Sequence, residues 1–309
     1  MMTETLPLEA LFEEHRRFLW GLCYRMTGSA ADADDAVQET FVRALEHPPQ
    51  RLDQPLRPWL VKVALNLSRD LLRRRKHRDY TGPWLPSPID TATEPPAHDP
   101  EGVEGRYELL ESVSFAFLVG LEALTPTERA VLLLRDVFDY SVRETAVALD
   151  LTNANVKTTH HRARRAMETY RSGRQIPTAA SQEATATALR QFMGALERHD
   201  VAAVESLLAD SVRTTTDGGG QFRAALRTIV GREKVLRFYL AVADTAATAS
   251  VRLVLLNGLP SVVFETPSPP PGIAPRFTLS AQLDAAGRIM HLYVVSATPK
   301  LTALSRTLG

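Results

Sequence analysis

The chain has 309 residues, 44% of them hydrophobic, with 36 basic and 36 acidic side chains and so no formal net charge. That is an ordinary globular composition for two or three domains. Its single cysteine, Cys23, excludes an intrachain disulfide and a cysteine-based zinc site, and no apolar run approaches the roughly 18 residues of a membrane span. The first residues, "MMTETLPLEALFEEH", show neither a basic nor an apolar leader region, so a cytoplasmic protein is expected.

The first segment, 1–80, reads as helical throughout. Leu8, Leu11, Phe12, His15, Leu19 and Leu22 recur at helical spacing, and Gly28 suits a helix C′ position with Ser29 as the next N-cap. In "ADADDAVQETFVRALEH", Ala33, Val37, Phe41 and Ala44 form an apolar stripe, and acids crowd the first turn where the helix dipole favours them. Asp35, Gln38 and Glu39 lie off that stripe. His47-Pro48-Pro49 stops the helix. A third helix from about Pro58 begins apolar and ends in the basic run Arg73, Arg74, Arg75, Lys76 and Arg78. Lys62, Asn66 and Asp70 recur every four residues along it, on one face.

Residues 81–102 are rich in Pro, Gly and Thr and read as a linker. A plain spacer needs no aromatic residues, yet this one holds "YTGPWLP" at its start. Trp84, Leu85 and Pro86 either pack on a neighbouring surface or dock the linker between domains. Helices are expected again near Val103, in a domain spanning 103–173. Thr125 and Glu128 form a capping box with Pro126 at the first helical position, and Ser141 and Glu144 repeat it. A short turn then leads to "NVKTTHHRARRAM", in which six of thirteen positions are Lys, Arg or His. This is a helix-turn-helix pattern. Val156, His160, Ala163 and Met167 fit a buried stripe, which leaves Asn155, Lys157, Thr158, His161, Arg162 and Arg165 for DNA. A solvated face would intersperse acids for i, i+4 pairing, whereas Glu168 is the one acid between Lys157 and Arg174. At its stripe position His160 is expected to be half-buried. The pair His160-His161 does not make a metal site, because adjacent helical side chains point about 100° apart.

After a second linker, 174–182, the composition shifts. Leu189, Phe192, Met193 and Leu196 share a helix face, and strand patterns follow Ser211. "VRLVLLNGLPSVVFE" reads as a hairpin turning at Asn257-Gly258, and Phe277, Leu279, Ala281 and Leu283 alternate. Residues 183–309 are expected to form an α+β domain with an antiparallel meander. The fold class is therefore two all-α domains followed by one α+β domain.

Three segments in order carry a resemblance. "DADDAVQETFVRAL", "RPWLVKVALNLSRDLLRRRKHR" and "LTPTERAVLLLRDVFDYSVRETAVALDLTNANVKTTHHRAR" resemble the polymerase-clamp, −10 and −35 segments of extracytoplasmic-function sigma factors. Thr159 and His160 stand where the family more often has Arg and Leu, and Asp150 stands in the turn where Gly is usual. The C-terminal part resembles a SnoaL-like domain of the NTF2-like cone fold. The subgroup with such an extension pairs a linker like "YTGPWLP" with a "DGGG" motif, here Asp217, Gly218, Gly219 and Gly220. Ser87 stands where that linker often has Glu, and "SATPKL" resembles the family's Asn-Pro-Asp-Lys signature only loosely.

The resemblance implies a sigma factor, not an enzyme, with core RNA polymerase and promoter DNA as partners and no cofactor or metal. It makes Asp35, Gln38 and Glu39 clamp contacts, against the alternative of a solvated acidic face. It makes Lys62, Asn66 and Asp70 readers of −10 bases, since Asn offers both a donor and an acceptor to a base edge. Arg73, Arg74 and Arg75 suit phosphate, which orients without reading sequence. Trp84, Leu85, Pro86 and Asp217–Gly220 would regulate in cis, a separate anti-sigma protein being possible but not required. Two rivals remain. The extra domain could be a small-ligand sensor, or a cyclase-type enzyme using Asp217, Tyr239, His291 or Tyr293 in its cavity. A two-domain repressor would need neither the acidic clamp segment nor the −10-like helix.

Overall fold

Helix α1 (Leu8–Thr27) ends where Gly28 takes a left-handed φ of 66°, a conformation that costs glycine nothing. Ser29 then accepts a hydrogen bond from the Asp32 N–H and starts α2 (Ala30–Glu46). Helix α3 (Arg57–Lys76) packs on both. The computed structural model describes residues 8–47, 55–76, 80–92, 112–168, 170, 178–243 and 250–304. It divides into two compact units, one made of Met1–Arg78 and Pro96–Gln175, the other of Asp79–Pro95 and Ile176–Gly309.

In the first unit, α4 (Phe115–Leu121) and α5 (Pro126–Asp136) precede the two helices of a helix-turn-helix, α6 (Val142–Leu149) and α7 (Asn153–Ala166). Both expected capping boxes are present, Thr125 with Glu128 and Ser141 with Glu144. Asp150 ends α6 at φ 53°, the left-handed turn that glycine would make without strain and Asp can also adopt. Leu19, Leu22, Met26, Val61 and Leu65 of the first three helices are buried, as are Val131, Leu133 and Leu134 of α5.

Two arginines are buried where α1 meets the later helices. Arg25 is 1% exposed; its Nε donates to Ser112 Oγ at 2.9 Å, and its guanidinium lies 5.5 Å from the Phe138 ring centroid. Burial pulls its pKa down to about 10. Arg129 donates to the carbonyls of Met26 (2.8 Å) and Leu121 (2.7 Å) and to Glu122 (2.9 Å). Each guanidinium thus exchanges water for backbone and side-chain acceptors, which is what allows a charge to be buried.

The second unit opens with residues 80–92, read from the sequence as linker but folded here with the C-terminal part. The rest of that linker and the helix start expected near Val103 lie outside the described residues. Helix α8 (Ala179–Glu197) begins earlier than the expected 183, because Thr178 caps it in a box with Ser181. Residues 179–182 are therefore helix, and 174–177 lie outside the described residues. Helix α9 (Val201–Leu207) leads into β1 (Leu208–Asp217). The remaining elements are β2 (Ile229–Val230), α10 (Arg232–Val242), β3 (Ser250–Leu256), β4 (Leu259–Glu265), β5 (Arg276–Leu283) and β6 (Ile289–Val295), then a 3₁₀ turn at Thr298–Lys300.

The strand order is β2-β1-β6-β5-β4-β3. From β3 to β6 the expected antiparallel meander is present, with Val262 opposite Leu279 and Ala281 opposite Leu292. Asn257 and Gly258 both take positive φ, the type I′ turn their sequence favours. The correction is β1, which pairs with β6 in parallel, Thr214 opposite Leu292. Half the domain separates these two strands, so the tight turn that enforces antiparallel pairing does not apply. Leu189, Phe192 and Leu196 of α8 pack on Val262, Leu279 and Leu292 of the sheet, with Val235 and Tyr239 of α10.

His291 alternates with Leu292 along β6 and so points to the other face of the sheet. Its Nε2 is 3.1 Å from Thr215 Oγ1 and its ring stacks on Tyr293 at 4.0 Å. Desolvation, aided by Arg213, lowers its pKa to about 4. The unfolded chain therefore binds a proton that the folded chain refuses between pH 6.5 and 4, and stability falls as pH drops through that window. The loss attributable to this group is up to about 3 kcal/mol. Urea unfolding of His291→Gln at pH 7 and pH 4.5 is expected to show a correspondingly smaller pH dependence than the parent chain.

Candidate polymerase and promoter surfaces and the linker clasp

On α2, Ala33, Ala36, Val37, Thr40 and Phe41 are buried, while Asp35, Gln38 and Glu39 are exposed. Glu39 pairs with Arg43 at 3.0 Å. Beside these acids, Val42 is 43% and Leu45 58% exposed. Sequence analysis missed this apolar pair. The signal was present: Val42 falls about one helical turn beyond the acids and Leu45 nearly two, both off the Ala33/Val37/Phe41 stripe.

On α3, Asp70, Arg73 and Arg74 are exposed, and Arg73 pairs with Asp70 at 2.7 Å. Lys62 and Asn66 are half-buried. The Lys62 ammonium reaches Asp150 of the helix-turn-helix at 2.6 Å, and Arg69 bridges from Asn66 to Thr127. Arg75 departs from its basic neighbours. Its guanidinium donates to the Thr27 carbonyl at 2.6 Å and to Glu122 at 2.9 Å, so it serves the internal packing of the unit. Arg78 lies outside the described residues.

On α7, the buried residues are Val156, Thr159 and Ala163, continued by Met167. Thr159 enters the stripe that His160 was expected to hold. His160 is half-buried, and its Nε2 meets Asp136 at 2.6 Å. The two positions straddle the stripe, and the smaller Thr takes the tighter contact. Asn155, Lys157, Thr158, His161, Arg162 and Arg165 are all exposed, with Arg162 leaning 3.6 Å from Glu128. A cationic face without interspersed acids is suited to a phosphate-lined groove. Among the described residues no group of three or more His, Cys, Asp or Glu could hold a metal.

A tight polar cluster stands in the second unit. Asp217 is 1% exposed at the end of β1. Its Oδ1 accepts from the Tyr80 hydroxyl at 2.5 Å and the Gly219 N–H at 3.0 Å. Its Oδ2 accepts from the Leu85 N–H at 2.7 Å and from Lys300 Nζ at 2.6 Å. Lys300 also donates to the Leu85 carbonyl, and lies 4.8 Å from the Tyr80 ring centroid and 4.2 Å from that of Trp84. One buried ion pair thus holds the linker at its backbone and at two aromatic faces. Leu85, Pro86 and Ser87 are buried behind it.

The glycines explain themselves by space. A Cβ on Gly218 would lie 2.7 Å from the Phe222 carbonyl, and one on Gly219, at φ 57°, would lie 2.9 Å from the Ala297 Cβ. Farther along, Asn257 accepts from the Ile89 N–H at 3.0 Å and returns its own N–H to the Ile89 carbonyl. Thr91 N–H bonds Leu255, so the segment extends the outer edge of β3. Lys300 was the residue that sequence analysis passed over, because "SATPKL" matched the family signature only loosely.

Of the four residues considered for a catalytic cavity, only Tyr239 lines it. Asp217 faces the linker, and His291 and Tyr293 stack on each other beside Thr215. The cavity lies between α8, α10 and the sheet.

Removing one partner of a buried pair strands the other charge and costs about 3–5 kcal/mol. Asp217→Ala and Lys300→Met should each lower the stability of the second unit by that order. The double variant should lose clearly less than their sum, as read by urea unfolding of the full chain with exchange-resolved detection of β5 and β6. Additive losses would deny the pair its coupling.

Residues 11–78 match the family model for Sigma-70 region 2, and residues 115–167 that for Sigma-70 region 4. The ECF RNA polymerase sigma factor SigJ of Mycobacterium tuberculosis is 33% identical over 252 residues, covering 80% of this chain and 78% of SigJ. SigG of the same species is 34% identical over 209 residues, covering 61% of this chain and 55% of SigG. The crystal structure of SigJ matches 96% of this chain and 98% of its own, with a TM-score of 0.71 at 27% identity. With both sigma regions in order and a relative matching through the C-terminal part, the chain belongs to the extracytoplasmic-function sigma factors of RNA polymerase, and carries an α+β domain behind regions 2 and 4.

Proposed function

We propose that the chain acts in the cytoplasm, recruits core RNA polymerase to a two-element promoter, and is regulated in cis by its C-terminal domain. In this reading Asp35, Gln38 and Glu39 meet the polymerase clamp, with Val42 and Leu45 supplying apolar contact. Lys62, Asn66 and Asp70 read the −10 element while Arg73 and Arg74 hold its phosphates. Lys157, Thr158, His161 and Arg165 enter the −35 major groove. The observation that carries the reading is the sorting of side chains on α2 and α7, where the charged residues stand apart from the buried stripe.

Region 2 and region 4 touch beside the residues assigned to promoter reading: Lys62 itself meets Asp150, and Arg69, which bonds Asn66, also bonds Thr127. Engaging two separate promoter elements requires these contacts to part. Asp150 is exposed and Lys62 half-exposed in this pair, and such surface pairs contribute only about 0–1 kcal/mol. A DNA backbone competes with it readily. No catalytic role is assigned to the extension, since Asp217 is committed to Lys300 and the linker. A separate anti-sigma protein is not required for control of this kind.

Charge reversal at Asp35 and Glu39 should abolish competition for core polymerase and run-off transcription, with the thermal unfolding of the chain unaltered because both positions are exposed. Retained competition would remove α2 from the clamp surface.

Regulation in cis makes a second demand. Trp84→Ala and Asp217→Ala should shift run-off transcription in the same direction, and the double variant should add little to either. A chain ending near Gly173 should keep core binding but transcribe at an altered level. Additive effects, or unaltered transcription after truncation, would oppose control through the clasp.

A further inference from the structure

The C-terminal domain holds a half-open cavity of about 600 Å³ that the clasp does not use. That is the size of sites that take small organic ligands. Its walls are the side chains of Met193, Phe238, Tyr239, Phe264, Phe277 and Leu279, among other apolar groups. Phe264 and Phe277 stack on each other at 4.4 Å and add a pair of aromatic rings to the lining. The polar groups inside are already paired. Tyr239 Oη is 2.8 Å from Thr214 Oγ1, Thr216 Oγ1 accepts from the Ala225 N–H, and Ser296 Oγ donates to the Asp217 carbonyl. The charges that line it, Arg190, Glu197, His199 and Arg223, are exposed and of both signs. A ligand held here is therefore selected by apolar and aromatic contact rather than by charge.

Two further features bear on this. Val251 and Leu253 of β3 line the cavity yet are 57% and 43% exposed, apolar surface that an occupant would cover. The far wall is shared with the clasp. Thr216 precedes Asp217 on β1, Ser296 gives both its N–H and its hydroxyl to the Asp217 carbonyl, and Ala224 lies where a Cβ on Gly218 would touch it at 3.0 Å. Anything packed against Thr216, Ser296 and Ala224 presses on the backbone that aims Asp217 at the linker.

We propose that this cavity is an effector site for an uncharged, ring-bearing small molecule, and that its occupancy tightens the hold of Asp217 and Lys300 on residues 80–91. The regulatory consequence rests on the reading that the extension controls transcription in cis; the binding itself does not. Coupling between the two sites is reciprocal, so whatever loosens the clasp weakens the ligand by the same factor.

The test uses the full chain and N-phenyl-1-naphthylamine, an uncharged aromatic probe whose fluorescence rises in apolar surroundings. Saturable binding at one site is expected. Leu253→Trp and Val251→Trp, both at exposed positions and so compatible with folding, should weaken it at least tenfold with unchanged thermal unfolding. Saturating probe should slow hydrogen exchange at the Leu85, Ile89 and Thr91 amides at least threefold, and Asp217→Asn should weaken the probe. Absence of saturable binding, binding indifferent to both tryptophan variants, or exchange unaltered by the probe would each overturn the proposal. So would a dimer in sedimentation that shuts the probe out, since a second copy would then cover Val251 and Leu253. None of these readouts involves polymerase or promoter, so a failure here leaves regulation in cis standing, and a failure of the truncation experiment leaves the cavity standing.

Discussion

A carboxylate and an ammonium 2.6 Å apart, with Asp217 1% and Lys300 8% exposed, set the organisation of the C-terminal half. Burying two charges is costly unless every remaining lone pair and proton finds a partner. Here the partners come from the linker: the Tyr80 hydroxyl, the Leu85 N–H and carbonyl, and the faces of Tyr80 and Trp84. The linker supplies the partners that make burial of the pair tolerable, and the pair in turn holds the start of the linker, whose later residues are held by Asn257 and Leu255. The close approach of chain at Gly218 and Gly219 serves the same end, since a side chain there would push the loop off Ala297 and Phe222.

The helical half solves a related problem with arginine. Arg25 and Arg129 are buried and donate to the Gly21, Met26 and Leu121 carbonyls and to Ser112 and Glu122. The bond from Arg129 to Met26 joins region 2 to region 4, as does Arg75 through Glu122. A wholly apolar seam would fuse the two regions without regard to register. A seam of directed donors holds one arrangement and, once wetted, can be replaced bond for bond by water. That suits a protein whose regions 2 and 4 also make a surface contact at Lys62 and Asp150.

What the sequence disclosed was whatever is decided locally. The capping boxes at Thr125 and Ser141, the left-handed Asp150, the Gly28 stop and the Asn257-Gly258 turn follow from residues within a few positions of one another. The docking of Trp84 and Leu85 and the involvement of Asp217 were legible as oddities of composition. What remained hidden depends on distant partners. Lys300 lies 215 residues from Leu85, and its motif departs from the family's form. The parallel pairing of β1 with β6 has no turn to announce it. Arg75 looked like one phosphate contact among several, because its acceptor Glu122 is 47 residues away. Thr159 replaced His160 in the stripe because a period of 3.6 leaves neighbouring positions nearly equivalent, and side-chain size decides between them.

The linker's membership in the C-terminal unit has a consequence for the timing of synthesis. Tyr80 and Leu85 leave the ribosome early, while Asp217 follows about 130 residues later and Lys300 later still. At roughly 5–20 residues per second, the interval between Leu85 and Lys300 is about 10–40 s. Regions 2 and 4 are complete well before it ends. Each newly made molecule therefore passes through an age at which both promoter readers exist and the clasp does not.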